Sequence, residues 1–339
     1  MAELHFMQFS TSCSPFIPAK NSVNRVMSHV LYALVPAIAT MFYLYGYSVF
    51  MQLLIASSTA IFTEAVCLAL RKRTIKIHLL DLSALLTGVL LALAIPTIAP
   101  WWVTFSGVLF AIIIGKHIYG GLGYNPFNPA MVGYVFLLIS FPLQMTRWQD
   151  PQVFLSLVDA FNVILIEQGT FDGVSGATVL DSVKTQLSTG LTLGEINTSP
   201  VWTEGINDGL IFVAIAYLIG GFWLLYRKII SWHIPVAVIL GLCLPAALGN
   251  LIDATQFSSA LFHLMSGATL CAAFFIATDP VSAATSHKAR LIYGAMIGSL
   301  IYIIRTWGGY PDGVAFAILL ANLAVPSIDY YMRPKTVRL

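Results

Sequence analysis

Apolar residues in this 339-residue chain gather into long runs separated by short polar segments. A helix needs about 20 apolar residues to cross the hydrocarbon core of a bilayer. Ten runs are long enough, several of them containing Pro or Gly: Val26–Tyr45, Val49–Leu70, Leu79–Ala99, Trp101–Ile118, Pro129–Met145, Leu210–Tyr226, Ile234–Leu248, Ser258–Ala277, Leu291–Thr306 and Val314–Tyr330. The pattern predicts an all-α polytopic membrane protein with about ten spans and both termini on one side.

The basic residues set the orientation, because translocating short cationic loops is disfavoured. With a cytoplasmic N-terminus, 14 of the 17 Lys and Arg fall inside, and only Arg147, Lys184 and Arg305 fall outside. Dropping one span would reverse every later loop. The segments are then a cytoplasmic N-terminus (1–25), a five-span unit (26–146), an outer loop (147–207), a second five-span unit (208–331) and a cytoplasmic C-terminus (332–339). Periodicity in Val153–Ile166 and Thr178–Leu187 predicts short surface helices in the outer loop, which is acidic.

The halves echo one another. Gly121-Leu122-Gly123-Tyr124-Asn125-Pro126 leads into span five, and Gly308-Gly309-Tyr310-Pro311-Asp312-Gly313 leads into span ten. Thr87-Gly88 in span three, which ends at Pro96, has a counterpart in Ser266-Gly267 of span eight, which ends near Pro280. An odd number of spans per half makes the repeats inverted, an arrangement that builds midplane sites from broken helices.

Composition agrees: 58% of residues are apolar and 9% charged, against about one quarter charged in soluble domains. A net charge of +2 sorted by membrane side gives no nucleic-acid footprint. Cys13, Cys67, Cys243 and Cys271 are far apart and supply neither a CxxC pair nor an iron–sulfur or zinc ligand set, so any redox centre here is organic and no metal site is expected. The polar stretch Met1–Asn24 has no apolar core of a secretory leader, so the first span is expected to be retained.

The chemistry-bearing motif lies in the outer loop. Asp172-Gly173-Val174-Ser175-Gly176-Ala177-Thr178 is a run of small residues ending in a hydroxyl, with a carboxylate six residues earlier. Gly176 and Ala177 leave the approach to Thr178 open to a bulky group, and Asp172 is placed to orient that group or its metal. The plainer reading is a turn entering a helix, with Ser175 or Thr178 as N-cap. Ser266-Gly267-Ala268-Thr269 repeats the tetrapeptide inside span eight, with His263 where the motif has Asp172. There, small residues read as close helix packing.

Asp172–Thr178 resembles the flavinylation motif in which FMN is esterified through its phosphate to threonine. Gly120-Gly121-Leu122-Gly123-Tyr124-Asn125-Pro126-Phe127-Asn128-Pro129-Ala130 and Thr278-Asp279-Pro280-Val281-Ser282 resemble the D subunits of Rnf electron-transport complexes. The related B subunits of sodium-translocating NADH:quinone reductase share this architecture but usually have a longer N-terminal extension. The resemblance spans all ten helices. It implies covalent FMN on Thr178, with Asp172, Ser175, Gly176 and Ala177 as motif residues, attached outside the cytoplasmic membrane of a bacterium by a magnesium-dependent flavin transferase. It also implies iron–sulfur, NADH-binding and second flavin-carrying partner subunits, and a role in ferredoxin:NAD oxidoreduction coupled to Na⁺ or H⁺ transport. Lys184 is a candidate to balance the FMN phosphate or a solvated surface charge.

Pro126, Pro129 and Pro280 interrupt backbone hydrogen bonding and leave groups to be satisfied by side chains or a ligand. Asn125, Asn128 and Asp279 are candidates for holding a second, noncovalent flavin, riboflavin, as related B subunits do. Equally, Asn128 and Asp279 are placed to cap helices. Ionisable groups within spans carry functional suspicion. His29 falls in span one, Glu64 in span two and His263 in span eight, while Asp81 and Asp329 stand at span ends. Glu64 is a candidate for the ion pathway, or reaches the interface or the Arg71–Arg73 cluster. Trp101, Trp102, Trp223, Trp232 and Trp307 read as interfacial anchors. The rival readings are a passive channel or secondary transporter with an inverted repeat, an inert assembly scaffold, and a quinone-reductase B subunit.

Overall fold

The computed structural model describes residues 22–151, 153–166, 173–198, 206–310 and 312–332. Each of the ten apolar runs carries helix. In the first half these are α1 (Val23–Tyr45), α2 (Tyr47–Leu70), a short α3 (Ile75–Leu79), α4 (Ser83–Ala94), α5 (Trp101–Ile113), α6 (Pro129–Ser140) and α7 (Pro142–Thr146). The outer loop holds β1 (Trp148–Gln149), α8 (Leu157–Phe161) with a π turn to Ile166, β2 (Ser175–Gly176), α9 (Val179–Ser188) and α10 (Leu193–Asn197). The second half holds α11 (Ile206–Tyr226), α12 (His233–Ile252), α13 (Ala260–Met265), α14 (Thr269–Cys271) continuing as a π turn to Ile276, α15 (His287–Trp307) and α16 (Val314–Tyr331). Among the described residues six helical stretches are long and apolar enough to cross a membrane, and the chain is a multi-pass membrane protein.

Runs three, five and eight do not pass straight through, which corrects their predicted bounds. α4 has 12 residues, about 18 Å of helix against a core of about 30 Å. It stops because Ile95 precedes Pro96 and is held extended, at φ −85° and ψ 159°. Run five ends at Ser140 and restarts at Pro142. Run eight breaks at Ser266–Ala268.

Freed backbone groups in an apolar slab need partners, and polar side chains supply them. Gln52 Nε2 donates to the carbonyls of Thr97 (3.2 Å) and Ala99 (2.6 Å), while its Oε1 accepts from Thr104 Oγ1. Gln149 does the same for the outer loop. Its Nε2 donates to Tyr45 O (2.8 Å) and Val153 O (2.7 Å), and its Oε1 accepts from Ser48 Oγ (2.6 Å) and Thr97 Oγ1 (2.9 Å). The loop is thereby tied to the bundle, with Leu155 bonded to both sides of the α1–α2 turn.

Packing repeats between the halves. α2 lies against α4 and α5, and α5 against α6; likewise α12 lies against α13 and α15, and α15 against α16. α1 on α11 and α6 on α16 join the halves, the pairing expected of two five-helix repeats. Small residues set the closest approach: a Cβ at Gly298 would stand 2.1 Å from Val238 O, so α12 and α15 meet only because that side chain is absent.

Candidate functional site

Thr178 stands at the start of α9, half-buried, as its N-cap: the hydroxyl oxygen accepts from Asp181 N at 3.2 Å. Both readings of this residue therefore meet in one atom. N-capping uses only lone pairs, which an ester oxygen keeps, and a helix N-terminus favours negative charge beside it. Two residues earlier the chain pairs with β1 in an antiparallel ladder, Trp148 opposite Gly176 and Gln149 opposite Ser175. A Cβ added at Gly176 would come no closer than 3.7 Å to Asp150, so local packing does not demand glycine there. Ala177 is exposed. Asp172 lies outside the described residues.

Thr178 borders a cavity of about 200 Å³ measured as space open to water centres. Its lining is mostly apolar and aromatic, and includes Tyr45, Tyr134, Trp148, Tyr217 and Tyr310. Gly267 and Ala268 also line it. The second copy of the tetrapeptide is thus no helix-packing stripe. It is the break in run eight, with Gly267 at φ +64°, a conformation that favours glycine. Arg305, 4% exposed, satisfies this break: its guanidinium donates to His263 O (2.6 Å) and Ser266 O (3.2 Å) and pairs with Asp312 at 3.0 Å. Asp312 in turn accepts from Ala268 N at 3.1 Å.

Lys184, on α9, reaches the end of α15. Its ammonium donates to the carbonyls of Ile304 (3.4 Å), Gly308 and Tyr310 (2.9 Å). Burial pulls it below the ordinary lysine value, opposed by nearby Asp181. Its three donors are engaged by carbonyls, so it is not a freely solvated surface charge.

A second cavity, about 80 Å³ by the same measure, opens at the other end of α1. Val26, Met27 and Val30 line it, whereas Met41 and Tyr45 line the first. Asn125, Asn128 and Asp279, separated by up to 154 positions in sequence, all border it. Asn128 caps α6, its Oδ1 accepting from Met131 N at 3.3 Å, with Pro129 at the first helical position. Asp279 Oδ2 accepts from Ser282 Oγ at 2.8 Å. Asn125 Nδ2 donates to Phe127 O at 3.0 Å, but its buried Oδ1 has no partner among the described residues. An orphaned buried acceptor costs free energy, and this one belongs to a residue of the cavity wall.

Glu64 pairs directly with Lys116 and His117, and Arg71 of the Arg71–Arg73 cluster meets it only through His117. Glu64 is 2% exposed and bonds Lys116 Nζ at 2.8 Å and His117 Nε2 at 2.9 Å; Lys116 also donates to Ser83 Oγ at 2.8 Å. Lys116 and Arg305, which the sequence places at the ends of spans four and nine among the charges sorted by membrane side, are both buried. Lys116 lies just past the end of α5 and Arg305 in the last turn of α15, and each precedes a Gly-Gly pair, Gly120-Gly121 and Gly308-Gly309. His29 stacks on Trp223 with ring centroids 5.4 Å apart, and Arg227 lies over the same indole, so Trp223 is engaged by neighbours as well as being near a span end. His263 is buried against Tyr302, edge to face. Asp81 accepts from Ser83 N at 2.8 Å at the start of α4, and Asp329 accepts from Thr285 N at 3.1 Å.

The NQR2, RnfD, RnfE family matches residues 10–338. The chain is 49% identical over 346 residues to the D-type subunit of the ion-translocating oxidoreductase complex of Vibrio cholerae serotype O1, covering 97% of this chain and 99% of that one. It is 49% identical over 343 residues to the corresponding D-type protein of Shewanella frigidimarina, covering 97% and 98%. The D-type protein of the same complex in Cronobacter sakazakii is 48% identical over 346 residues, covering 97% and 99%.

Proposed function

The chain belongs to the NQR2, RnfD, RnfE family, and from that premise we propose that it is the flavin-carrying membrane component of an ion-translocating oxidoreductase complex. In this reading it passes electrons between partner subunits in ferredoxin:NAD oxidoreduction coupled to Na⁺ or H⁺ transport, as one part of a translocase and not alone. The partners are iron–sulfur, NADH-binding and second flavin-carrying subunits, with a flavin transferase for maturation. The membrane is the bacterial inner membrane, with both termini cytoplasmic and the 147–207 loop periplasmic.

The observation that carries the reading is Thr178 on the rim of an aromatic-walled cavity, at a helix N-terminus. FMN joined there through its phosphate would supply reversible one- and two-electron redox chemistry, which is the cofactor's own. The protein's part is placement. Thr178 Oγ1 provides the link, the first amides of α9 face the negative charge, and Tyr45, Tyr134 and Tyr217 offer flat apolar walls that exclude water. Gly176 and Ala177 keep the approach open. The similarity to proteins named as the D component favours the Rnf-type assignment over the quinone-reductase B type.

In the same reading a second flavin, riboflavin, is assigned to the smaller cavity at the opposite end of α1. The unpartnered Asn125 Oδ1 favours this, since it is an acceptor awaiting a donor such as an imide N–H.

The test is a denaturing gel of the purified protein from its own host. A fluorescent flavin band that disappears in Thr178→Val supports the reading, and a band that persists in that variant, or none in the parent, rejects it.

A further inference from the structure

We infer that Lys184 is a positioning residue for whatever Thr178 carries: its ammonium locks α9 to the end of α15 and so fixes the attachment point over the cavity. This rests on the flavin reading above.

α9 needs a lock. Ten residues of helix are too few to be stable alone in water, and only Val179, Leu180 and Val183 are buried. The upstream end is held by the two-residue ladder at Ser175–Gly176. Across α9, Lys184 is six residues from Thr178, about 9 Å of helix rise, and supplies the second anchor. Its three carbonyl acceptors come from the last turn of α15 and the turn after it; Ile304 O also accepts from Gly308 N, and a cation is favoured at this helix end. The same helix end carries Arg305, which holds Asp312 and the Ser266–Ala268 break. Leu180 closes the triangle, since a Cβ on Gly267 would fall 2.7 Å from its Cδ1, and equally from Arg305 and Asp312. The cavity wall and its attachment point are therefore fixed to one helix end by two neighbouring cations.

A capping lysine that merely completes α15 would share this geometry, so the experiment separates the two roles. The chain is expressed within its native complex as parent, Lys184→Met, Lys184→Gln and Lys184→Arg. Flavin per chain is read from gel fluorescence, flavin mobility from fluorescence anisotropy, and local opening from amide exchange followed by mass spectrometry. The positioning role predicts that Lys184→Met keeps its flavin while anisotropy roughly halves, because a released loop moves within the emission lifetime. Amides of Val179–Ser188 then exchange about tenfold faster, and Lys184→Arg restores part of both. Unchanged anisotropy with faster exchange confined to Ile304–Gly308 makes Lys184 a helix cap only and overturns the inference, leaving the flavin reading intact. A parent without flavin overturns the reading and this role together. If Lys184→Met does not accumulate, Lys184→Gln decides by the same criteria.

Discussion

Replacing Lys116 by Met removes one member of a buried ionic triad, and the structure sets how much this costs. Lys116 Nζ lies 2.8 Å from Glu64 Oε1, with side chains 2% and 3% exposed. At an effective dielectric near 20 the gross attraction is about 6 kcal/mol, most of it offset by desolvation. Removing one partner of such a pair typically costs about 3–5 kcal/mol, because the other is left charged and buried. Lys116→Met falls toward about 3, since His117 Nε2 stays 2.9 Å from Glu64 Oε2 and keeps the carboxylate partly matched. Glu64→Leu falls toward about 5, leaving an ammonium with only Ser83 Oγ. The double variant, which removes both the ammonium and the carboxylate, comes out about neutral. Unfolding of all four proteins by SDS titration in mixed micelles measures the cycle. Single costs that simply add in the double variant, to within about 0.5 kcal/mol, would refute the claim that these charges are held by one another.

Three further outcomes follow from the same structure. Gln52→Leu strands the Thr97 and Ala99 carbonyls in an apolar setting and lowers stability by about 2–4 kcal/mol, read in the same titration. Gly298→Val drives a side chain into the Val238 carbonyl, so the chain accumulates poorly or loses more than about 3 kcal/mol. Asn125→Leu replaces the orphaned acceptor without touching Thr178; extracted noncovalent flavin falls at least about tenfold while the covalent band on gels is unchanged.

Apolar run length makes the ten helical regions legible, because a bilayer enforces a minimum length that composition reports directly. Where a run stops is less legible. Pro96 is visible, but membrane helices tolerate proline, and only the extended Ile95 and the Gln52 bonds show that α4 ends there. Thr178 as a cap and Asn128 before Pro129 are readable because capping is local. Lys116 and Arg305 at span ends and Lys184 in the outer loop count only as charges on one side or the other, because sequence gives a cation's position but not its partners, which lie between 7 and 126 residues away. The Ser266–Thr269 repeat misleads for a related reason: small residues serve close packing and chain breaks alike, and Gly267's positive φ decides between them.

Everything proposed for function turns on a phosphate-linked flavin on one hydroxyl. Protein isolated from its native host and digested gives a peptide containing Thr178, whose mass and fragmentation report on that oxygen. Covalent attachment predicts FMN less one water, located on Thr178, in most of the molecules. An unmodified Thr178 peptide as the dominant species, or the flavin located on another residue, would contradict it.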